Sequence, residues 1–208
     1  MNAIRRSAAV LAAGALLALA ACGGENPATR PVELKEPTWD IGSEPSDGGG
    51  KSDGGGEPTK AAPDIPPPDP KDFPGMDQKT DEGAEQATRY YIQIMFWAQQ
   101  TDGVDRFSQL FRDSCENCAS ILEHAVRRRD AKRFWSKVET KIHECDQVYS
   151  SPTEKEFHCN ITIGPHSEAS LDDGSTKNHG PLDMLIAVNM KWDHRGWLAA
   201  AYGSKRVR

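Results

Sequence analysis

The 208-residue chain lacks the linear signatures that most often reveal an enzyme. No glycine-rich phosphate loop and no dinucleotide fingerprint occurs, so nothing points to a nucleotide cofactor. Its six histidines, at 124, 143, 158, 166, 179 and 194, never fall four apart, and no carboxylate spacing typical of a metal centre accompanies them. An excess of positive charge is missing as well. The whole chain carries −6, and residues 81–208 carry only −2 from 17 basic and 19 acidic side chains. Without a basic field there is no support for nucleic-acid binding. Long apolar runs are also missing: the longest, Ser7 to Ala21, holds 15 residues, short of the roughly 20 needed to cross a bilayer.

That run is nonetheless organised. Arg5 and Arg6 precede it, small residues close it, and Leu19-Ala20-Ala21-Cys22 follows the layout of an export signal. The string resembles the lipobox of bacterial lipoproteins. The resemblance implies a signal peptide over 1–21 cleaved after Ala21, with a diacylglycerol carried on the Cys22 thiol and the protein held on the outer, extracytoplasmic face of the cell membrane. Acyl chains contribute about 0.8 kcal/mol per buried CH₂, so two or three give a stable anchor. An uncleaved membrane-spanning anchor is the alternative.

Residues 22–80 read as a disordered tether. Gly23 to Thr80 holds 11 of the 14 prolines and 10 of the 18 glycines, with 12 acidic against 6 basic side chains. Its apolar residues, among them Trp39, Ile41, Ile65 and Phe73, are isolated, and such a segment buries too little surface to offset its ordering entropy.

Residues 81–208 read as one α+β domain. A helix is expected over Asp81 to Thr101, with Ala87, Tyr91, Ile94 and Ala98 at helical spacing and Asp102-Gly103 as its stop. A short helix spans Asp105 to Phe111. A third, capped by Asp113 or Ser114, runs to about Lys132 with Cys118, Ile121, Leu122 and Ala125 inward. Strands are expected over Phe134 to Tyr149 and Glu156 to Gly164, and a small hairpin over Ser170 to Lys177 around Asp173-Gly174. The last hairpin joins Pro181–Asp193 to Trp197–Gly203 and sets Trp192 against Trp197, Met190 against Ala199 and Val188 against Ala201. These inward stripes contain no carboxylate or imidazole.

Tyr90-Tyr91, Phe96-Trp97-Ala98, Thr101-Asp102-Gly103, Cys115-Glu116-Asn117-Cys118 and Gly196-Trp197-Leu198 together resemble an uncharacterised family of actinobacterial lipoproteins, a domain of unknown function. The Thr-Asp-Gly stop departs from that family's Thr-Gly-Asp and affects the loop geometry. The resemblance implies a nuclear-transport-factor-2-like, SnoaL-like or cystatin-like cone, with N-terminal helices packed on a curved antiparallel sheet.

Four cysteines remain once Cys22 is lipidated, an even number in an oxidising compartment, so disulfides are the default. Cys145 and Cys159 are symmetric about Pro152 and become cross-strand neighbours if one extra residue sits between Ile142 and Cys145. Cys115 and Cys118 open the third helix; a structural disulfide, thiol exchange and a metal site are the readings, in that order. Arg127-Arg128-Arg129 with Lys132-Arg133 complements the negative helix end or, alternatively, forms an anion site. The sequence therefore points to an anchored, non-catalytic binding module without cofactor or metal, taking a protein partner or an apolar ligand. The rival is a small-molecule enzyme using the cone, which a buried carboxylate or histidine lining a pocket would favour.

Overall fold

The computed structural model describes residues 61–207. Cys22, the signal segment and the tether as far as residue 60 lie outside the described residues. Three helices, α1 (Asp81–Gln100), α2 (Val104–Ser108) and α3 (Glu116–Ala131), precede six strands. The strands are β1 (Thr140–Ser150), β2 (Glu154–Ile163), β3 (His166–Ala169), β4 (Thr176–His179), β5 (Leu182–Asp193) and β6 (Gly196–Arg206). The long strands form one antiparallel sheet in the order β1-β2-β5-β6, and β3-β4 is a separate hairpin. This is the α+β layout expected of a SnoaL-like or cystatin-like cone. No helix among the described residues is long and apolar enough to cross a membrane.

Helix α1 begins where Thr80 Oγ1 accepts from Gly83 N at 2.9 Å. It ends where Thr101 Oγ1 turns back onto Trp97 O at 2.8 Å and takes up Gly103 N at 3.2 Å, ahead of the glycine. Its buried side chains, with those of α3, meet Phe157, Ile161, Ile186, Val188 and Met190 of β2 and β5 in a single core. The cap of α3 is neither Asp113 nor Ser114 but Cys115, whose Sγ accepts from Cys118 N at 3.3 Å. Cys115 is bridged to Cys118 across that first turn, and Cys145 to Cys159 across β1 and β2. One extra residue does lie between Ile142 and Cys145, and this turns Cys145 towards the core. Closing a loop of about 15 residues stabilises by on the order of 3 kcal/mol in chain entropy.

Three expectations about the strands change. Val188 pairs with Tyr202 rather than Ala201, because a bulge between Asn189 and Met190 advances the register by one residue. The shift replaces a small side chain with the Tyr202 ring, which is buried 6.3 Å from that of Tyr91. Residues 134–139 are extended but not part of β1. Their amides are taken elsewhere: Trp135 N by Gln99 O, Ser136 N by Ser167 O and Val138 N by Gln100 Oε1. The small hairpin is longer than expected, since its strands reach back to His166 and on to His179.

The segment 61–80 packs on the domain as a strap, where tether was expected. Phe73 meets Tyr90 edge-on at 5.2 Å, Trp97 Nε1 donates to Ile65 O at 2.9 Å, and Trp197 Nε1 donates to Gln78 O at 2.8 Å. Isolated apolar residues cannot make a core among themselves, but here Phe73 and Met76 pack against the core the domain supplies. The prolines lessen the entropy lost on docking. The approach is close enough that a Cβ on Gly83 would lie 2.2 Å from Gln78 O and 2.6 Å from Gly75 O.

Gly83→Ala therefore has an informative sign. In a helix free of the strap it would stabilise by up to about 1 kcal/mol. With the strap docked it is expected to destabilise by roughly 1–3 kcal/mol through overpacking. Urea unfolding of the two proteins measures the difference, and a stabilised variant would show that the strap does not hold this position in solution.

Candidate functional site

A cleft of about 290 Å³ opens at the end of the sheet where α1, α3 and the β3-β4 hairpin converge. Its walls are largely apolar: Met95 and Phe96 of α1, Ile121 of α3, Ile163 of β2, Leu182 and Met184 of β5, with Tyr202 of β6. Helical spacing explains the α3 contribution, because Ile121, His124 and Arg128 lie three and four residues apart and share one face. Strand alternation explains the hairpin contribution, because His166 and Glu168 are two apart and point the same way. His179 stands directly opposite His166 in the register.

The polar groups gather at this end. Arg128 Nη2 donates to Glu168 Oε2 at 2.8 Å, and its Nη1 donates to Ala169 O at 3.1 Å. His179 Nε2 lies 3.2 Å from Glu168 Oε1, so both carboxylate oxygens are engaged. The His166 ring stacks on Trp135 at 4.7 Å and on His179 at 5.0 Å, and the Arg128 guanidinium lies over Trp135 at 5.7 Å. His166 Nδ1 is 3.0 Å from Gly164 O, and a carbonyl only accepts, so Nδ1 carries the proton of the neutral ring. Among the described residues the indole N–H of Trp135 is buried without an acceptor.

Burial lowers the His166 pKa below the ordinary histidine value. The Gly164 hydrogen bond opposes that effect, while His179 and Arg128 add to it. Burial alone would raise the Glu168 carboxyl, but the hydrogen bond from His179 and the charges of Arg128 and His179 hold it below its usual range. Burial also lowers His124, with Arg127 and Arg128 reinforcing the shift.

None of the four bridged cysteines lines the cleft, and Cys22 lies outside the described residues. Cys115 and Cys118 are buried, and the Tyr91 hydroxyl contacts Cys118 Sγ at 3.2 Å. The cleft instead uses residues that the sequence reading passed over. The inward stripes considered there belonged to the helices and to β5, and they do lack carboxylates and imidazoles. The hairpin closes the open end of the cone and brings in His166, Glu168 and His179. Arg128, grouped above with the cations at the end of the third helix, turns inward to meet them. The alternation His166-x-Glu168, with a second histidine ten residues past Ala169, the last residue of β3, was the available signal. No group of His, Cys, Asp or Glu among the described residues is placed to hold a metal ion.

The fold and the cleft together define a small α+β cone with an apolar pocket that is polar at one end. Residues 56–181 match the family of unknown function DUF6318, and the chain belongs to that family. No curated protein matches the chain. Among solved structures, a ketosteroid isomerase-like protein from Erwinia carotovora atroseptica is similar at 12% identity and a TM-score of 0.41, over 60% of this chain and 94% of that one. An uncharacterised protein with a cystatin-like fold from Caulobacter vibrioides matches at 12% identity and 0.44, over 61% and 91%. A hexachlorocyclohexane dehydrochlorinase matches at 10% identity and 0.37, over 62% and 90%.

The lowered pKa values of His166 and Glu168 fix the sign of a pH effect. The unfolded chain binds protons at both positions more readily than the folded one, so acid favours unfolding. The His166 contribution is full above its ordinary value of 6.5 and is lost as pH falls through the lower folded value. That of Glu168 is full above 4.5 and is lost further into acid. Thermal melts should show Tm falling from about pH 7 to about pH 4, and His166→Gln should flatten the upper part of the slope. His124 leaves a residual slope in the same range. An identical slope in His166→Gln would contradict the assignment.

Proposed function

We propose that this chain is an exported lipoprotein, anchored through Cys22 on the outer face of the membrane, whose domain binds a small apolar ligand in the cleft without altering it. The anchoring rests on Leu19-Ala20-Ala21-Cys22 and on the resemblance to an actinobacterial lipoprotein family. The binding role rests on one observation: an apolar cleft of about 290 Å³ whose buried charged groups, Arg128 and Glu168, are tied to each other. Arg128 and His179 occupy both oxygens of Glu168, which leaves no free carboxylate to act on a ligand.

A second reading, a small-molecule enzyme in the same cleft, draws on His166. Its ring is buried and its neutral form is favoured, which suits a group that takes up a proton. The two readings differ in whether turnover accompanies binding.

Two measurements test the proposal. Wild type should partition into detergent and Cys22→Ala into the aqueous phase; equal partitioning would defeat the anchor. The neutral fluorophore N-phenyl-1-naphthylamine should bind the protein and lose about tenfold or more in affinity in Met184→Trp, which fills the cleft. Undiminished binding in that variant would place the ligand elsewhere. Chemical conversion of a bound small molecule, abolished by His166→Gln with the fold intact, would establish the enzymatic reading instead.

A further inference from the structure

The chemistry left unmet at the polar end of the cleft narrows the ligand class. His166 is 5% exposed and lines the cleft. Its ring faces are stacked on Trp135 and His179, and its Nδ1 is committed to Gly164 O. That leaves Nε2, a lone pair that no protein group among the described residues meets, as the ring atom a ligand in the cleft can engage. An open acceptor in an apolar cleft calls for a neutral group that donates. A hydroxyl is the smallest such group.

We propose that the ligand of this cleft is an apolar alcohol or phenol whose hydroxyl donates a hydrogen bond to Nε2 of His166. The proposal deepens the binding role above and rests on it. A carboxylate fits less well, because it has no hydrogen to offer and would set its charge against the Nε2 lone pair. Arg128 does not offset that mismatch, since it donates to Glu168, Ala169 O and, at 3.4 Å, Arg133 O. The other cations of the lining, Lys205 and Arg206, are exposed, so an anion drawn to them would sit at the mouth. A bare hydrocarbon would fill the walls and leave the Nε2 acceptor unmet, a recurring cost of burying polar groups.

Three probes with one apolar body separate these cases: 4-butylphenol, 4-butylanisole, which keeps the oxygen and loses the hydrogen, and 4-butylbenzoate. Each is titrated by calorimetry into the full-length protein bearing Cys22→Ala, so that no acyl chain or detergent competes. The phenol should bind about tenfold tighter than the anisole, the scale of one hydrogen bond to an otherwise unmet acceptor. In His166→Phe, which keeps a stacking ring, the two should converge because the phenol weakens while the anisole does not. Anisole matching phenol in the wild type, or benzoate binding tightest, would overturn the proposal and leave the apolar cleft standing. Failure of all three probes to bind would overturn the cleft reading itself. The wild-type comparison decides the matter even if His166→Phe does not fold.

Discussion

Burial of α1 on almost every side is the constraint from which the remaining packing follows. Thirteen of its twenty residues are buried, including Thr88 and Gln100, so the helix has no broad solvated face on which to rotate or slide. The sheet takes one side of it, α2 and α3 another, and the strap a third. Polar side chains inside this surround satisfy themselves locally: Thr88 Oγ1 donates to Ala84 O at 2.8 Å, and Gln100 Nε2 to Phe96 O at 3.0 Å. The far end of Gln100 then holds Val138 N and fixes the chain entering β1. Residues 134–139, which carry Trp135 to the cleft, are thus positioned by the last turn of a helix some forty residues earlier.

The cleft exists because the hairpin is held away from the main sheet rather than added to it. Its attachment is mainly polar: the Arg128–Glu168 pair, Arg133 Nη1 to Ser170 O at 2.6 Å, and the exchange between Ser136 and Ser167. A buried ion pair of this kind is a weak source of net stability, but removing one partner is costly, on the order of 3–5 kcal/mol. It therefore acts mainly to specify where the hairpin sits. Apolar packing alone would leave four-residue strands free to slide over Phe96 and Met95 and close the space between them.

Much of the fold was legible in the sequence. The helical spacing of Ala87, Tyr91, Ile94 and Ala98, the alternation from Leu182 to Trp192, and the cysteine symmetry about Pro152 each reflect burial along a single element, which sequence periodicity records directly. The bulge at Ile142–Cys145 was legible for the same reason, since two cysteines had to share a face. The strap and the cleft were not. Ile65 and Phe73 are ordered by surfaces far away in the chain, and nothing in their own neighbourhood signals that. His166, Glu168 and His179 meet Arg128 only once the hairpin folds across the cone, and a four-residue strand is too short for its periodicity to stand out. The advance of Tyr202 over Ala201 follows from the bulge at Asn189–Met190, which the alternation along β5 does not record.

The strap is tied down by two indole N–H groups, Trp97 to Ile65 O and Trp197 to Gln78 O, one near each of its ends. Both rings are shielded while the strap lies in place, and each would gain water on lifting. The protein thus carries its own optical gauge. Lifting of residues 61–80 would shift the emission of Trp97 and Trp197 to longer wavelength, on top of the emission of the chain's three other tryptophans.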